Sequence, residues 1–192
     1  MNTFFFWASG IIGALGSIPY LWGIYKGNVK PHRVSWLIWG ILATINFFSQ
    51  YAGGARESLI FTGQSAFWCL LFFFISLKKG VGGHTRLDIF CIVSAIVGLI
   101  LWKLTDSPLA SLLINIGIDV IGCIPTIKKT YLQPHAEGLA TFAAGMFSAL
   151  FGVLAESRHS VFTILFPGWV IFANGIIVGI GLWRRNILSQ VK

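Results

Sequence analysis

Acidic side chains are scarce in this sequence. Six Asp and Glu stand against 14 Lys and Arg in 192 residues, and charged residues of both signs make up only 10%. Soluble domains carry about a quarter charged residues, so this composition excludes a water-facing exterior. Cysteines are few: Cys69, Cys91 and Cys123 are isolated in three different apolar stretches, while the four histidines, His32, His84, His135 and His159, fall in connections. Neither set has the spacing of a metal site or a redox dithiol. There is no phosphate-binding glycine loop, no Gly-x-Ser-x-Gly and no metalloprotease histidine pair, so nothing points to an enzyme, a cofactor or a bound metal. The last apolar stretch, Val161 to Trp183, also lacks a lysine that could hold retinal as a Schiff base.

What the sequence does have is apolar length: 56% hydrophobic residues and a mean hydropathy of +0.80. A membrane span needs about 20 apolar residues. Stretches between polar breaks run near Phe4 to Tyr25, Val34 to Tyr51, Leu59 to Leu77, Ile89 to Leu104, Leu109 to Ile127, Leu139 to Ala155 and Val161 to Trp183. The expectation is an all-α membrane protein of seven transmembrane helices, with no room for a soluble domain. The first stretch has no basic residue ahead of it and exceeds a signal peptide's apolar core, so it reads as a retained span.

The formal net charge of +8 resolves into a topology signal rather than a nucleic-acid surface. One set of alternate connections holds Lys26, Lys30, Arg33, Lys78, Lys79, Arg86, Lys128, Lys129, Arg184, Arg185 and Lys192; the other holds only Arg56, Lys103 and Arg158. Basic residues mark cytoplasmic connections, so the N-terminus is expected outside and the C-terminus in the cytoplasm of a bacterial inner membrane. Partners are then the lipid bilayer, with its anionic headgroups, and a small-molecule solute, with no nucleic acid. Self-association is left open.

The chain also repeats itself. Ile18-Pro19-Tyr20 near the end of the first stretch recurs as Ile124-Pro125-Thr126 near the end of the fifth, and each is followed by a basic turn and a Pro-His pair, Pro31-His32 and Pro134-His135. Arg56-Glu57-Ser58 before the third stretch is matched by Arg158-His159-Ser160 before the seventh. Three spans therefore repeat, residues 1–80 and 108–192, with residues 81–107 supplying an unpaired linking helix. Three is odd, so this extra crossing gives both units the same orientation, a 3+1+3 parallel repeat about an axis along the membrane normal.

With these features the sequence resembles the PQ-loop superfamily: the SWEET sugar transporters, their half-size SemiSWEET relatives, the lysosomal cystine and cationic amino-acid exporters, and the KDEL receptors. The resemblance covers nearly the whole chain. Where the family has Pro-Gln before a Lys-rich turn, this sequence has Pro19-Tyr20 and Pro125-Thr126. Two of the four intramembrane prolines of SWEET proteins match Pro19 and Pro125; the second and sixth spans have proline only at their entrances, Pro31 and Pro134. The run from Pro31 to Gly40, with an acid six residues before Pro125, looks like bacterial members of the superfamily. The resemblance implies a seven-helix carrier with a site between the two units. It also implies an amide in the third and seventh helices that holds the substrate: Asn174 matches in depth, and Gln64 lies about a turn nearer the outer face.

Five of the six acids, Glu57, Asp88, Asp106, Glu137 and Glu156, fall in connections or at span ends, leaving Asp119 alone deep inside a span. A carboxylate in hydrocarbon costs at least about 2.5 kcal/mol, so it faces a cavity and is paired, hydrated or protonated. Burial favours the uncharged form, which suits a proton carrier; tying helices together is the alternative role. Asn115, Asp119, Gly122 and Thr126 recur at helical spacing as one polar, small stripe, and the repeat maps them onto Ser9, Gly13, Gly16 and Tyr20. These stripes suit either a solute path or close helix packing. Pro19 and Pro125 interrupt the backbone ladder and are candidate hinges. Asn46 and Ser148 are further polar candidates, Trp39 suits stacking on a ligand, and Trp36, at a span end, fits an interfacial belt. The expected function is transport of a small polar solute, a sugar, amino acid or amine, by alternating access with Asp119 as a proton-coupling or cation-binding group. A receptor or structural membrane protein that does not transport is the alternative.

Overall fold

The computed structural model describes residues 3–52, 59–105, 107–156 and 161–190. Within them lie seven α-helices: α1 (Thr3–Tyr25), α2 (Arg33–Ala52), α3 (Leu59–Lys79), α4 (Arg86–Leu104), α5 (Pro108–Leu132), α6 (Leu139–Ala155) and α7 (Val161–Gln190), with one 3-10 turn at Pro134–Ala136. The paired turns at 56–58 and 158–160, along with Asp106 and Lys192, lie outside the described residues. Three segments are long and apolar enough to cross a membrane, Thr3–Tyr25, Arg86–Leu104 and Ile164–Gln190, and two shorter apolar helices run Arg33–Phe48 and Leu139–Ala155. The sequence expectation of seven spans meets seven helices among the described residues.

Burial is inverted relative to a soluble bundle. On α1, Phe4, Trp7, Ile11, Leu15, Ile18 and Trp22 recur every three or four residues and are all more than half exposed, while Ser9, Ser17 and Tyr20 are buried. The same holds for α4, whose Ile89, Phe90, Val93, Ile96, Ile100 and Leu104 face outward around buried Cys91 and Ala95. An outward apolar stripe of this extent is stable only in lipid. The protein is an all-α, membrane-embedded chain.

Helix α3 packs on α1 and α2, α7 packs on α5 and α6, and the two sets meet where α1 lies on α6 and α2 on α5. Helix α4 rests on α5 and, less extensively, α2. The α1/α6 contact is close because Gly16 lies directly against Ala144, leaving no room for a Cβ. That approach lets side chains reach backbone: Ser9 Oγ donates to Ser148 O and Ser148 Oγ to Ser9 O, both at 2.8 Å, and Thr141 Oγ1 donates to Gly16 O at 2.7 Å. Small residues and hydroxyls are the usual cement of helices that have no hydrophobic effect to join them.

At the end where α1, α3, α5 and α7 finish, the basic residues gather and the connections lock. Pro31 O accepts from Val81 N and Val81 O from Arg33 N, each at 2.9 Å, an approach that a side chain at Gly80 would block. Arg33 donates to Ser76 O and Gly82 O. Thr85 caps α4 in a capping box with Asp88. The loop before α2 is tied to the loop before α6, Lys30 N donating to Ala136 O at 3.0 Å and Lys129 Nζ to Lys30 O at 2.6 Å.

Candidate functional site

Between the two helix sets lies a cavity of about 190 Å³ at mid-depth. Its floor, toward the basic end, is aromatic. Tyr20, Trp36, Phe72 and Phe142 are buried together, with ring centroids 4.7 to 6.3 Å apart, and Trp39 and Trp68 pack on them from the cavity side. Trp36 Nε1 donates to Tyr20 Oη at 3.0 Å. This corrects the belt expected for Trp36: its ring is buried because α2 enters the bundle immediately after Pro31, so its first turn meets protein rather than headgroups. The polar wall comes from both sets of helices, with Asn46 and Gln64 from one, Asp119 and Asn174 from the other. Thr62 and Phe166, near the opposite ends of α3 and α7, stand at the far rim.

Asp119 is nine-tenths buried midway along α5. Its Oδ2 accepts from Trp169 Nε1 at 2.6 Å and from Cys123 Sγ at 3.7 Å. Among the described residues no Lys, Arg or His lies within ion-pair reach of it, and no basic side chain lines the cavity. Trp39 sits one turn along, its Nε1 against Gly122. Gln64 Nε2 is buried without a hydrogen-bond partner among the described residues. It lies against Gly13, just as Asn174 Nδ2 lies against Gly145; a Cβ at either glycine would come within 3 Å of the amide nitrogen.

Of the residues singled out from the sequence, Asn174, Asp119, Trp39, Gln64 and Asn46 meet in this cavity, with Gly13 and Ser148 beside them. Asn115 does not line it. Asn115 Nδ2 instead donates to Asn46 Oδ1 at 3.4 Å, directly behind that lining residue. The two small-residue stripes do not pack on each other: the α1 stripe faces α6, and the α5 stripe faces α2, with Gly122 against Ile38 and Trp39. Pro19 and Pro125 lie inside unbroken helices, and so does Pro167, which the repeat gave no reason to single out.

Sequence reading missed Trp169, 50 residues from its partner, and the floor residues Trp68 and Phe72, whose composition is that of any apolar helix. It also left Glu137 in a connection. Glu137 is 2% exposed and ion-paired with Lys129, while Arg185 Nη2 donates to Glu137 O at 2.7 Å. Lys129 eight residues earlier was the one available signal. His32 is buried beside Asp88, Nε2 to Oδ1 3.5 Å, and its burial pushes its pKa down to about 4, Asp88 opposing and Lys129 and Arg33 adding to the shift. Among the described residues no three of His, Cys, Asp and Glu converge as a metal site.

The arrangement can hold a small ligand between an aromatic floor and a wall of amides around one carboxylate. Comparison with protein-family models, with curated proteins and with solved structures gives no match to this chain.

Proposed function

We propose that this protein is a SWEET-like carrier of the PQ-loop type in a bacterial inner membrane. It moves a small polar solute by alternating access between two three-helix repeats, residues 1–80 and 108–192, joined by a linking helix in 81–107. All seven helices span, the N-terminus is outside and the C-terminus cytoplasmic, in accord with the basic end. Supporting the repeat, the two sets have matched neighbours: α3 touches α1 and α2 as α7 touches α5 and α6, and α1 meets α6 as α5 meets α2. The observation that carries the functional reading is the mid-depth cavity drawing its polar wall from both sets and holding a buried carboxylate without a basic partner. Intramembrane acids are expensive and mark solute or proton paths. Asp119 is the coupling residue, Asn174 and Gln64 hold the solute, and Pro19 and Pro125 give the helices bending points.

Radiolabelled pools of sugars, amino acids and amines in proteoliposomes, with and without an acid-outside gradient, test this. Saturable uptake that the gradient drives, and that loses its gradient response in Asp119→Asn, is expected. No uptake of any pool by protein that elutes as a single folded species would sink the carrier reading.

A further inference from the structure

We propose that the cavity's ligand is a compact organic cation without a carboxylate, an amine or quaternary ammonium, its charge on Asp119 and its apolar body on the aromatic floor; this rests on the cavity being the solute site. The first argument is charge. Asp119 is the one ionisable acid among the lining residues, and Lys, Arg and His are absent from the described lining. A neutral solute such as a sugar brings the buried carboxylate no charge partner, so Asp119 would be neutralised in that complex by a proton alone. An amino acid, whatever its side chain, brings a carboxylate of its own that would find Asp119 and no base. A cation without an acid group neutralises the site and adds no second charge.

Geometry points the same way. Oδ2 of Asp119 is occupied by the Trp169 and Cys123 donors, which fixes the carboxylate, while Oδ1 has no protein partner among the described residues. Trp36, Trp39 and Phe142 line the same cavity, with the rings of Trp36 and Phe142 at 5.1 and 6.1 Å from that of Trp39. Tryptophan is the strongest cation-binding ring, and several rings around one anion form the kind of cage that recognises ammonium groups. The amides Gln64 and Asn174 can take a hydroxyl or N–H at the other end of the ligand. At about 190 Å³ the cavity is below the usual range for drug-sized ligands, about 300–1,000 Å³, which limits the cation to one ring or a short chain.

Equilibrium binding to the purified full chain in detergent tests this, with choline and benzylammonium as cations, benzyl alcohol as the uncharged analogue of the second, and lysine and glucose as competing classes. Both cations should bind, with benzyl alcohol, lysine and glucose at least about tenfold weaker. Loss of a buried charge partner predicts that Asp119→Asn weakens benzylammonium by about thirtyfold or more, and that Asp119→Glu, which keeps the charge, retains most of the affinity. Trp39→Leu should cost choline about fivefold. The proposal is overturned if glucose or lysine binds as tightly as the cations, if none of the probes binds, or if folded Asp119→Asn binds benzylammonium unchanged. Uptake of the same probes into proteoliposomes separates the two readings. Cation binding without uptake keeps the ligand class and removes the carrier; uptake of glucose without cation binding does the reverse.

Discussion

The basic end and the central cavity use the same vocabulary of buried acid, amide, hydroxyl and indole, yet they spend it differently. At the basic end each acid is matched. Glu137 has Lys129, Asp88 receives Gly83 N at 2.7 Å and Thr85 N at 3.0 Å with His32 alongside, and the arginines end on carbonyl oxygens. In the cavity Asp119 Oδ1 and Gln64 Nε2 have no protein partner among the described residues. Buried polar groups that are fully bonded hold structure, and those left open store binding energy for something else. The contrast is one of acids, since His32 Nδ1, Ser35 Oγ and Thr126 Oγ1 toward the basic end are also buried without a partner among the described residues.

That contrast can be broken most forcefully at Glu137. Replacing it by Gln strands Lys129 as a buried charge and should lower unfolding free energy by about 3–5 kcal/mol, while Lys129→Met with Glu137→Leu, which removes both charges, should recover most of it; thermal unfolding in detergent reads both. His32 offers a gentler probe. Its folded pKa of about 4 lies below the ordinary 6.5, so the folded state favours the neutral ring. The associated stability is fully present above pH 6.5 and is lost as pH falls through about 4. Melting temperature should therefore drop between pH 7 and pH 4.5, and His32→Gln should flatten that dependence. The smallest effect is expected in the cavity. Gln64→Leu removes an unpartnered amide for an apolar group of similar reach, so stability should hold within about 0.5 kcal/mol or rise, even as solute handling changes. A large loss there would erase the distinction between framework and site.

The sequence made much of this legible through position alone. Asp119 stood out because hydrocarbon penalises charge, the Pro19 and Pro125 correspondence mapped it onto Gly13, the family resemblance pointed to Asn174, and depth in the second span pointed to Trp39. All three line the cavity. What stayed hidden depends on packing at long range. Nothing at Trp169 distinguishes it from Trp183, yet one meets Asp119 while the other stays exposed and pairs with Tyr131. Trp36 misled for a related reason: depth along a helix is readable, but whether lipid or protein lies beside that depth is not. Glu137 and Asp88 looked like solvated loop acids because tight, proline-anchored connections bury polar groups that composition assigns to water.

Lys30 uses both its amide and its carbonyl to hold the opposite loop, beside the Lys129 and Glu137 pair and directly beneath the aromatic floor. The molecule is consequently bound like a book, with its spine at the basic end. Parting the pages at the basic end breaks the two Lys30 hydrogen bonds and the ring contacts of Phe142 with Tyr20 and Trp36, and leaves the Lys129 and Glu137 pair intact within its own set; parting them toward the far edge breaks the reciprocal Ser9 and Ser148 bonds and the Phe5–Phe151 stack.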